Sequence, residues 1–170
     1  YANEFDTEGI LATSSMRDPL QTNPQLIKDI INAYGQERAD LENHKSGYPT
    51  ATELTNVVKD GLADHTKLGA GYSTEASDHI ITVVDEADSR PVNIAIWGGS
   101  RELAQALWKV NNNRASADVD AFVAKIRVHA IHDQDGQLVW IRNNFPDLWI
   151  ILSKAPSGVS CESVFRGVFL

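Results

Sequence analysis

The sequence predicts an α/β domain whose mostly parallel sheet is covered by helices on both faces. Four short apolar runs have the length and residue types of strands, and each gives way to polar residues or a turn. Longer segments between them carry the apolar spacing of amphipathic helices, which is typical of crossover connections between parallel strands. The runs are apolar almost throughout, as expected of strands buried on both faces. The predicted strands are Glu8–Thr13, Val92–Trp97, Lys125–Ile131 and Leu148–Leu152.

Helix start signals precede the intervening segments. Asn23 followed by Pro24 is typical of an N-cap with proline in the first turn. Thr50 or Thr52 can cap a helix over Glu53–Gly61. Further helices are predicted to begin at Ser77 and Ser100, with a short one over Asp118–Val123.

Length and composition limit the function classes. A chain of 170 residues with 42% hydrophobic residues can form a single domain with a substantial core. The net charge of −8 argues against nucleic acid as a partner, and no apolar run is long enough to span a membrane. Cys161 is the only cysteine, so an internal disulfide or a zinc–cysteine cluster is excluded, and we interpret it as a structural thiol.

The carboxyl ends of parallel strands form one rim, where ligands of this fold class bind. Loops 13–17, 98–101 and 132–136 should meet there. Gly98 and Gly99 allow a tight turn, after which Ser100 caps a helix whose free amides can bind an anion or a ligand oxygen. The alternative is an ordinary strand-to-helix turn. The Walker lysine and the third glycine of a dinucleotide motif are both missing.

Polar side chains in the other two rim loops are candidate ligand contacts. Asp133, Gln134 and Asp135 follow a strand and could bind sugar hydroxyls or help to hold a cation, unless they simply form an acidic turn that ends in glycine. Thr13 and Ser14 could serve a polyol ligand or cap the local backbone.

The four tryptophans are expected mainly in the core. We predict packing roles for most of them, since large aromatic side chains bury much apolar surface. One of them follows the acidic loop directly and is the candidate for stacking on a ligand. The four are Trp97, Trp108, Trp140 and Trp149, of which Trp140 is the stacking candidate.

Several of these passages, taken in order along the chain, resemble one known family. The chain is similar to the nucleoside-hydrolase-like domain of bacterial proteins often labelled cellulose-binding proteins. That resemblance implies a carbohydrate-degrading context and a periplasmic or secreted protein. The motifs that carry it are Asn3–Thr13, Trp97-Gly98-Gly99, Leu103–Trp108, Asp133–Asp135, Trp140–Arg142 and Phe145–Leu148.

The resemblance also implies a chemistry. Nucleoside hydrolases cleave N-glycosidic bonds with a calcium-activated water, and an aspartate cluster after their first strand supplies most calcium ligands and the general base. That cluster corresponds to residues upstream of Tyr1, so the catalytic residues are expected outside this sequence. We therefore expect residues 1–170 to form one domain that lacks the first strand and the C-terminal part. By position, the backbone carbonyl of Arg101 would be a calcium ligand.

Two functions follow as hypotheses. The first is hydrolysis of an N-glycosidic or related glycosyl bond, with calcium, in the complete protein, the segment alone being inactive. The second is a non-catalytic cellulose-binding module on the same scaffold, since a fold does not dictate a function. A nucleoside, a glycoside or an oligosaccharide would be the ligand. The candidate contacts are Thr13, Ser14, Asp133, Gln134, Asp135 and Trp140.

Overall fold

The protein is described by a computed structural model that covers residues 2–16 and 20–153. These residues contain five strands and six α-helices, with one or two helices between successive strands. After a 3₁₀ turn at Ala2–Glu4, the strands are β1 (Ile10–Ala12), β2 (Val58–Asp60), β3 (Val92–Ile96), β4 (Ile126–Ala130) and β5 (Trp149–Leu152). The helices are α1 (Pro24–Glu42), α2 (Ala51–Asn56), α3 (Glu75–Asp85), α4 (Arg101–Asn113), α5 (Ser116–Ala124) and α6 (Gln137–Asn144). Cys161 lies outside the described residues.

The strands form two parallel sheets, in the orders β1-β2 and β3-β4-β5. All four predicted strands are present with shorter bounds, and the prediction of a parallel α/β domain is confirmed. Ile10 pairs with Val58 in the smaller sheet, and Ala95 pairs with His129 in the larger one. Within each sheet the strands therefore share one carboxyl edge, as the rim prediction requires.

The predicted helix over Glu53–Gly61 is wrong in its second half. Thr50 does cap α2 through a capping box with Glu53, but the helix ends at Asn56 and a strand begins at Val58. Two consecutive β-branched valines disfavour helix continuation, and pairing with β1 stabilises the extended form. A three-residue strand is too short to show a period in the sequence.

The other predicted helix starts agree with the structure to within a few residues. Asn23 caps α1, its side chain accepting from the amide of Leu26 at 3.2 Å. The predicted start at Ser77 is late, because α3 begins at Glu75 behind the N-cap Thr74. Ser77 instead completes a capping box with Thr74.

Helix α4 lies at the centre of the main hydrophobic core. Leu103 and Leu107 of α4 are buried against strand residues such as Ile126 and Val128. A second, smaller cluster places α1 and α2 on the other side of the β1-β2 sheet, around Val58. Within the described residues, no helix is long and apolar enough to cross a membrane.

The larger sheet is covered on only one face by the described residues. Its strands alternate between buried and exposed positions, instead of being buried on both faces as their apolar composition predicts. The outward side chains form what we call the outer sheet face. Its members are Asn93, Ala95, Arg127, His129, Trp149 and Ile151.

Candidate functional site

The loops after β1 and β3 lie against each other at the rim. A Cβ atom on Gly98 would stand 2.7 Å from the Thr13 hydroxyl, and one on Gly99 would stand 2.1 Å from the Ser14 carbonyl oxygen. Because the Ser14 oxygen belongs to the backbone and cannot rotate away, the contact between the rim loops requires glycine at Gly99. The expected meeting of these loops is observed.

Asp135 connects two helix N-termini at the rim. Its Oδ1 accepts hydrogen bonds from the Ser100 hydroxyl at 2.8 Å and from the Gln137 amide at 3.0 Å. Its Oδ2 accepts from the Arg101 amide at 2.7 Å. The Arg101 amide at the start of α4, a predicted ligand contact, is therefore bound to Asp135. Ser100 occupies the N-cap position, but its side chain accepts no hydrogen bond from an α4 amide. Burial raises the pKa of the Asp135 carboxyl, opposed by these hydrogen bonds.

The neighbouring polar residues also bond inward. Asp133 accepts from the Gly136 amide at 2.9 Å, which is the acidic turn that the sequence left as an alternative. Gln134 donates to the Trp97 carbonyl at 2.6 Å. Ser14 donates to the Leu62 carbonyl at 3.2 Å. Each of these side chains already has a hydrogen-bond partner within the protein. Ligand binding by them stays a prediction.

Arg101 has a role that the sequence did not reveal. It is the first residue of α4 and only 1% exposed. Its guanidinium donates to the Lys67 carbonyl at 2.8 Å, to the Tyr72 carbonyl and to both carboxylate oxygens of Glu102. The Arg101 backbone carbonyl, which the family resemblance makes a calcium ligand, lies in the first turn of α4. Carbonyls at such positions bond to amides four residues further on. Calcium binding by this carbonyl stays a prediction.

Two further α4 residues hold the same loop, residues 61–74. Glu102 accepts from the Leu62 amide at 2.9 Å and from the Thr74 hydroxyl. Gln105 both donates to and accepts from the backbone of Gly69, at 3.0 and 2.9 Å. We call Arg101, Glu102 and Gln105 the α4 anchor; all three are at most 2% exposed. In the sequence, the only sign of this buried anchor is that Arg101, Glu102 and Gln105 are mixed with leucine and alanine at the start of a helix.

The described residues do not fit a calcium site by themselves. Calcium takes six to eight oxygen ligands, whereas the described part of the chain holds no group of three or more His, Cys, Asp or Glu that could bind a metal. Two buried polar atoms of the described residues have no hydrogen-bond partner. Asp60, which ends β2, has a buried Oδ1 without a hydrogen-bond partner, and His65 Nδ1 is in the same condition.

Two tryptophans lie on the surface, so the prediction of core roles is wrong for them. Trp149 is 50% exposed because strand alternation places it on the outer sheet face. Trp97 is 66% exposed and directly follows β3, in the turn that leads to Gly98. Trp140 is half-buried, packs against the main core and contacts Phe145 with ring centroids 5.9 Å apart. Stacking of Trp140 on a ligand stays a prediction, and Trp97, beside the rim glycines, has the more exposed ring.

Asp135→Asn should change the pH dependence of stability. Because the pKa of the Asp135 carboxyl is raised in the folded state, the folded protein binds the carboxyl proton more tightly than the unfolded chain does. Protonation of Asp135 therefore stabilises the fold at low pH, and this stabilisation is lost as the pH rises through the folded-state pKa. Asparagine does not titrate, so Asp135→Asn should lack this pH-dependent loss of stability. We expect the wild type to gain stability relative to the variant as pH is lowered below neutrality, measured by urea unfolding at several pH values.

A control substitution separates charge from capping. Asp135→Ala removes every acceptor and should cost about 2 kcal/mol at neutral pH, within the range for a lost helix cap. Equal pH profiles for the wild type and Asp135→Asn would contradict the raised pKa.

The geometry described above is that of a known class of protein. A solved structure of a nucleoside hydrolase-related hypothetical protein from Saccharophagus degradans, associated with carbohydrate metabolism, is similar to this chain with a TM-score of 0.82. The sequence identity is 39% over 86% of this chain. The chain thus has a nucleoside-hydrolase-like α/β fold.

A family model identifies the chain more closely. The model for the nucleoside hydrolase-like domain of cellulose-binding Sde182 matches residues 1–168, and the chain belongs to that family. The resemblance seen in the sequence is therefore confirmed. The match covers 36% of the Saccharophagus structure, so the chain spans about a third of that protein's length. No protein with a curated description matched.

Proposed function

We propose that this domain binds a carbohydrate at the rim, with Trp97 as the principal contact. The exposed Trp97 ring carries the proposal: it is 66% exposed although it directly follows a strand and adjoins the buried Gly99 turn. Its backbone is fixed by the hydrogen bond from Gln134. An exposed, well-positioned aromatic ring offers a flat apolar surface to the C–H face of a sugar.

Polar groups near this ring suit sugar hydroxyls. Thr13 contacts the Gly98 backbone next to Trp97, and its side chain is half-buried. His132 begins the neighbouring loop and is also half-buried. Hydroxyl and imidazole groups can both donate and accept hydrogen bonds, as sugar hydroxyls do. The family description names cellulose binding, which supports a carbohydrate of this kind.

A hydrolase is the second candidate. The similarity to a nucleoside hydrolase-related structure and the unpartnered Asp60 carboxylate oxygen favour it. A nucleoside or glycoside would then be the substrate, and calcium would activate the water. Because the described residues do not fit a calcium site, any calcium would need further ligands. A periplasmic or secreted location is part of either proposal, since polymeric cellulose lies outside the cell.

Trp97→Ala should weaken carbohydrate binding about tenfold, which corresponds to about 1.4 kcal/mol. Calorimetry with cello-oligosaccharides would measure this, in the presence and absence of calcium. Phe5→Ala is the matched control, because Phe5 is 69% exposed and precedes β1, away from the rim. A wild-type protein that binds no cello-oligosaccharide, or equal affinities for wild type and Trp97→Ala, would overturn the proposal.

The complete protein and its Asp60→Asn variant test the hydrolase. Release of free base or reducing sugar from nucleosides or glycosides, lost in Asp60→Asn, would favour catalysis. Binding without release would favour a non-catalytic module. Calcium dependence of binding, read by calorimetry, tests the metal separately from activity.

A further inference from the structure

Gln134 forms hydrogen bonds to two rim loops that belong to different sheets. Its side-chain amide donates to the carbonyl of Trp97 at 2.6 Å, and Trp97 directly follows β3. Its backbone carbonyl accepts from the amide of Met16 at 2.7 Å, in the loop that follows β1. Among the described residues, β1-β2 and β3-β4-β5 are separate sheets without strand pairing between them. Gln134 therefore links the carboxyl edges of the two sheets.

The turn at Trp97 depends on such a link because two glycines follow it. Gly98 and Gly99 restrict the backbone less than any other residue type would. The peptide plane between Trp97 and Gly98 is therefore free to rotate unless a hydrogen bond holds it. The carbonyl that Gln134 binds belongs to this plane. Because backbone angles limit side-chain rotamers, the same hydrogen bond also restricts the directions open to the Trp97 ring.

The side chain of Gln134 is well suited to hold a carbonyl. The residue is only 8% exposed, so water competes little for its hydrogen bond. A carboxamide carries N–H donors, whereas an ionised carboxylate of the same length only accepts hydrogen bonds. The next residue, Asp135, binds the Ser100 hydroxyl and the Arg101 amide, which fixes the loop that carries Gln134. The donor is therefore held in place before any ligand binds.

We propose that Gln134 is a positioning residue, which holds Trp97 in the orientation that a carbohydrate meets and acts on the ligand only through that ring. The inference rests on the proposed carbohydrate function and gives an indirect role to a residue that the sequence predicts as a direct contact. A ring that is ordered before binding loses less conformational entropy when the ligand arrives. The affinity that Trp97 supplies therefore depends on Gln134.

A double-mutant cycle tests whether Gln134 acts through Trp97. Gln134→Met keeps the length of the side chain and removes the donor. We expect it to weaken cellotetraose binding about fivefold by calorimetry, within the range for one lost hydrogen bond. In the Trp97→Ala background the same substitution should have no further effect. Gln134→Glu also loses the donor at neutral pH and should match Gln134→Met, so the test does not depend on one variant.

The neighbouring Gln137 offers a matched control. Its side-chain amide also donates to a backbone carbonyl, that of His65 at 3.1 Å, but this carbonyl lies in the loop of residues 61–74 and not in the Trp97 turn. Gln137→Met therefore removes the same kind of hydrogen bond from the same segment of the chain. We expect it to bind cellotetraose with wild-type affinity.

Fluorine NMR reports on the Trp97 ring directly. Labelling with 5-fluorotryptophan gives one signal for each of the four tryptophans, and Trp97→Phe assigns the Trp97 signal. We expect this signal to shift in Gln134→Met and to stay in place in Gln137→Met. The other three signals should be unchanged in both variants, which also shows that the fold is intact.

The contrary results can be told apart. Wild-type affinity in Gln134→Met, or an unmoved Trp97 signal, would overturn the inference while the rim proposal stands. Additive losses of affinity in the double variant would show that Gln134 contacts the ligand itself, which also overturns the positioning role. If the wild type binds no cellotetraose, the proposed function fails and this inference fails with it.

Discussion

Arg101→Met is expected to lower the free energy of unfolding by about 3–5 kcal/mol, the cost of breaking a buried ion pair from one side. The substitution leaves the Glu102 carboxylate, in a residue only 2% exposed, without its cation. It also frees the carbonyls of Lys67 and Tyr72 from their donors. Urea unfolding followed by tryptophan fluorescence would measure the loss.

An exposed arginine provides the comparison. Arg90 pairs with Asp6 and Asp88, but its side chain is 65% exposed. Exposed ion pairs contribute about 0–1 kcal/mol, so Arg90→Met should change the unfolding free energy by no more than that. Similar small losses for both variants would show that the α4 anchor does not stabilise the fold.

Hydrogen exchange tests where the Arg101 substitution acts. The amides of Leu62 and Gly69 donate to Glu102 and Gln105, so they report directly on the loop of residues 61–74. We expect these two amides to exchange faster in Arg101→Met, with much smaller changes in the strand amides of β4. Uniformly faster exchange would instead indicate global destabilisation without a local role for the anchor.

Local signals explain how much of the fold was predictable. Asn23-Pro24 marks a helix start within a few residues, and the β-branched run Val92–Ile96 marks a strand. The strand at Val58 was missed because its extended form depends on pairing with Ile10, 48 positions earlier. Short elements stabilised by distant partners leave little trace in a local pattern.

The site was predictable in position but not in its internal bonding. The rule that parallel strands share one carboxyl edge brings the Thr13, Gly98 and Asp135 loops together, as observed. Which polar groups then pair with each other depends on contacts about 35 residues apart, such as Ser100 with Asp135. The exposure of Trp149 likewise depends on which sheet face the described helices leave uncovered. Neither property is encoded in the spacing of neighbouring residues.

Among glycine-to-alanine substitutions at the rim, Gly99→Ala should lower the free energy of unfolding most. The new Cβ would stand 2.1 Å from the Ser14 carbonyl oxygen and 2.7 Å from Asp135 Oδ2. A backbone oxygen cannot rotate away as a flexible side chain can, so the loop after β1 must move. We expect a loss of about 3 kcal/mol in unfolding free energy, at the upper end of overpacking effects.

Gly9→Ala is the matched control. Its Cβ would meet the ring of His79 at 3.2 Å, and that side chain is able to shift. The unfolding free energy should therefore change by less than about 1 kcal/mol. Carbohydrate affinity provides a second measurement, because displacement of the turn that precedes α4 also moves the adjoining Trp97 ring. A Gly99→Ala protein with wild-type stability and wild-type affinity for cello-oligosaccharides would show that the close contact between Gly99 and Ser14 does not hold the rim together.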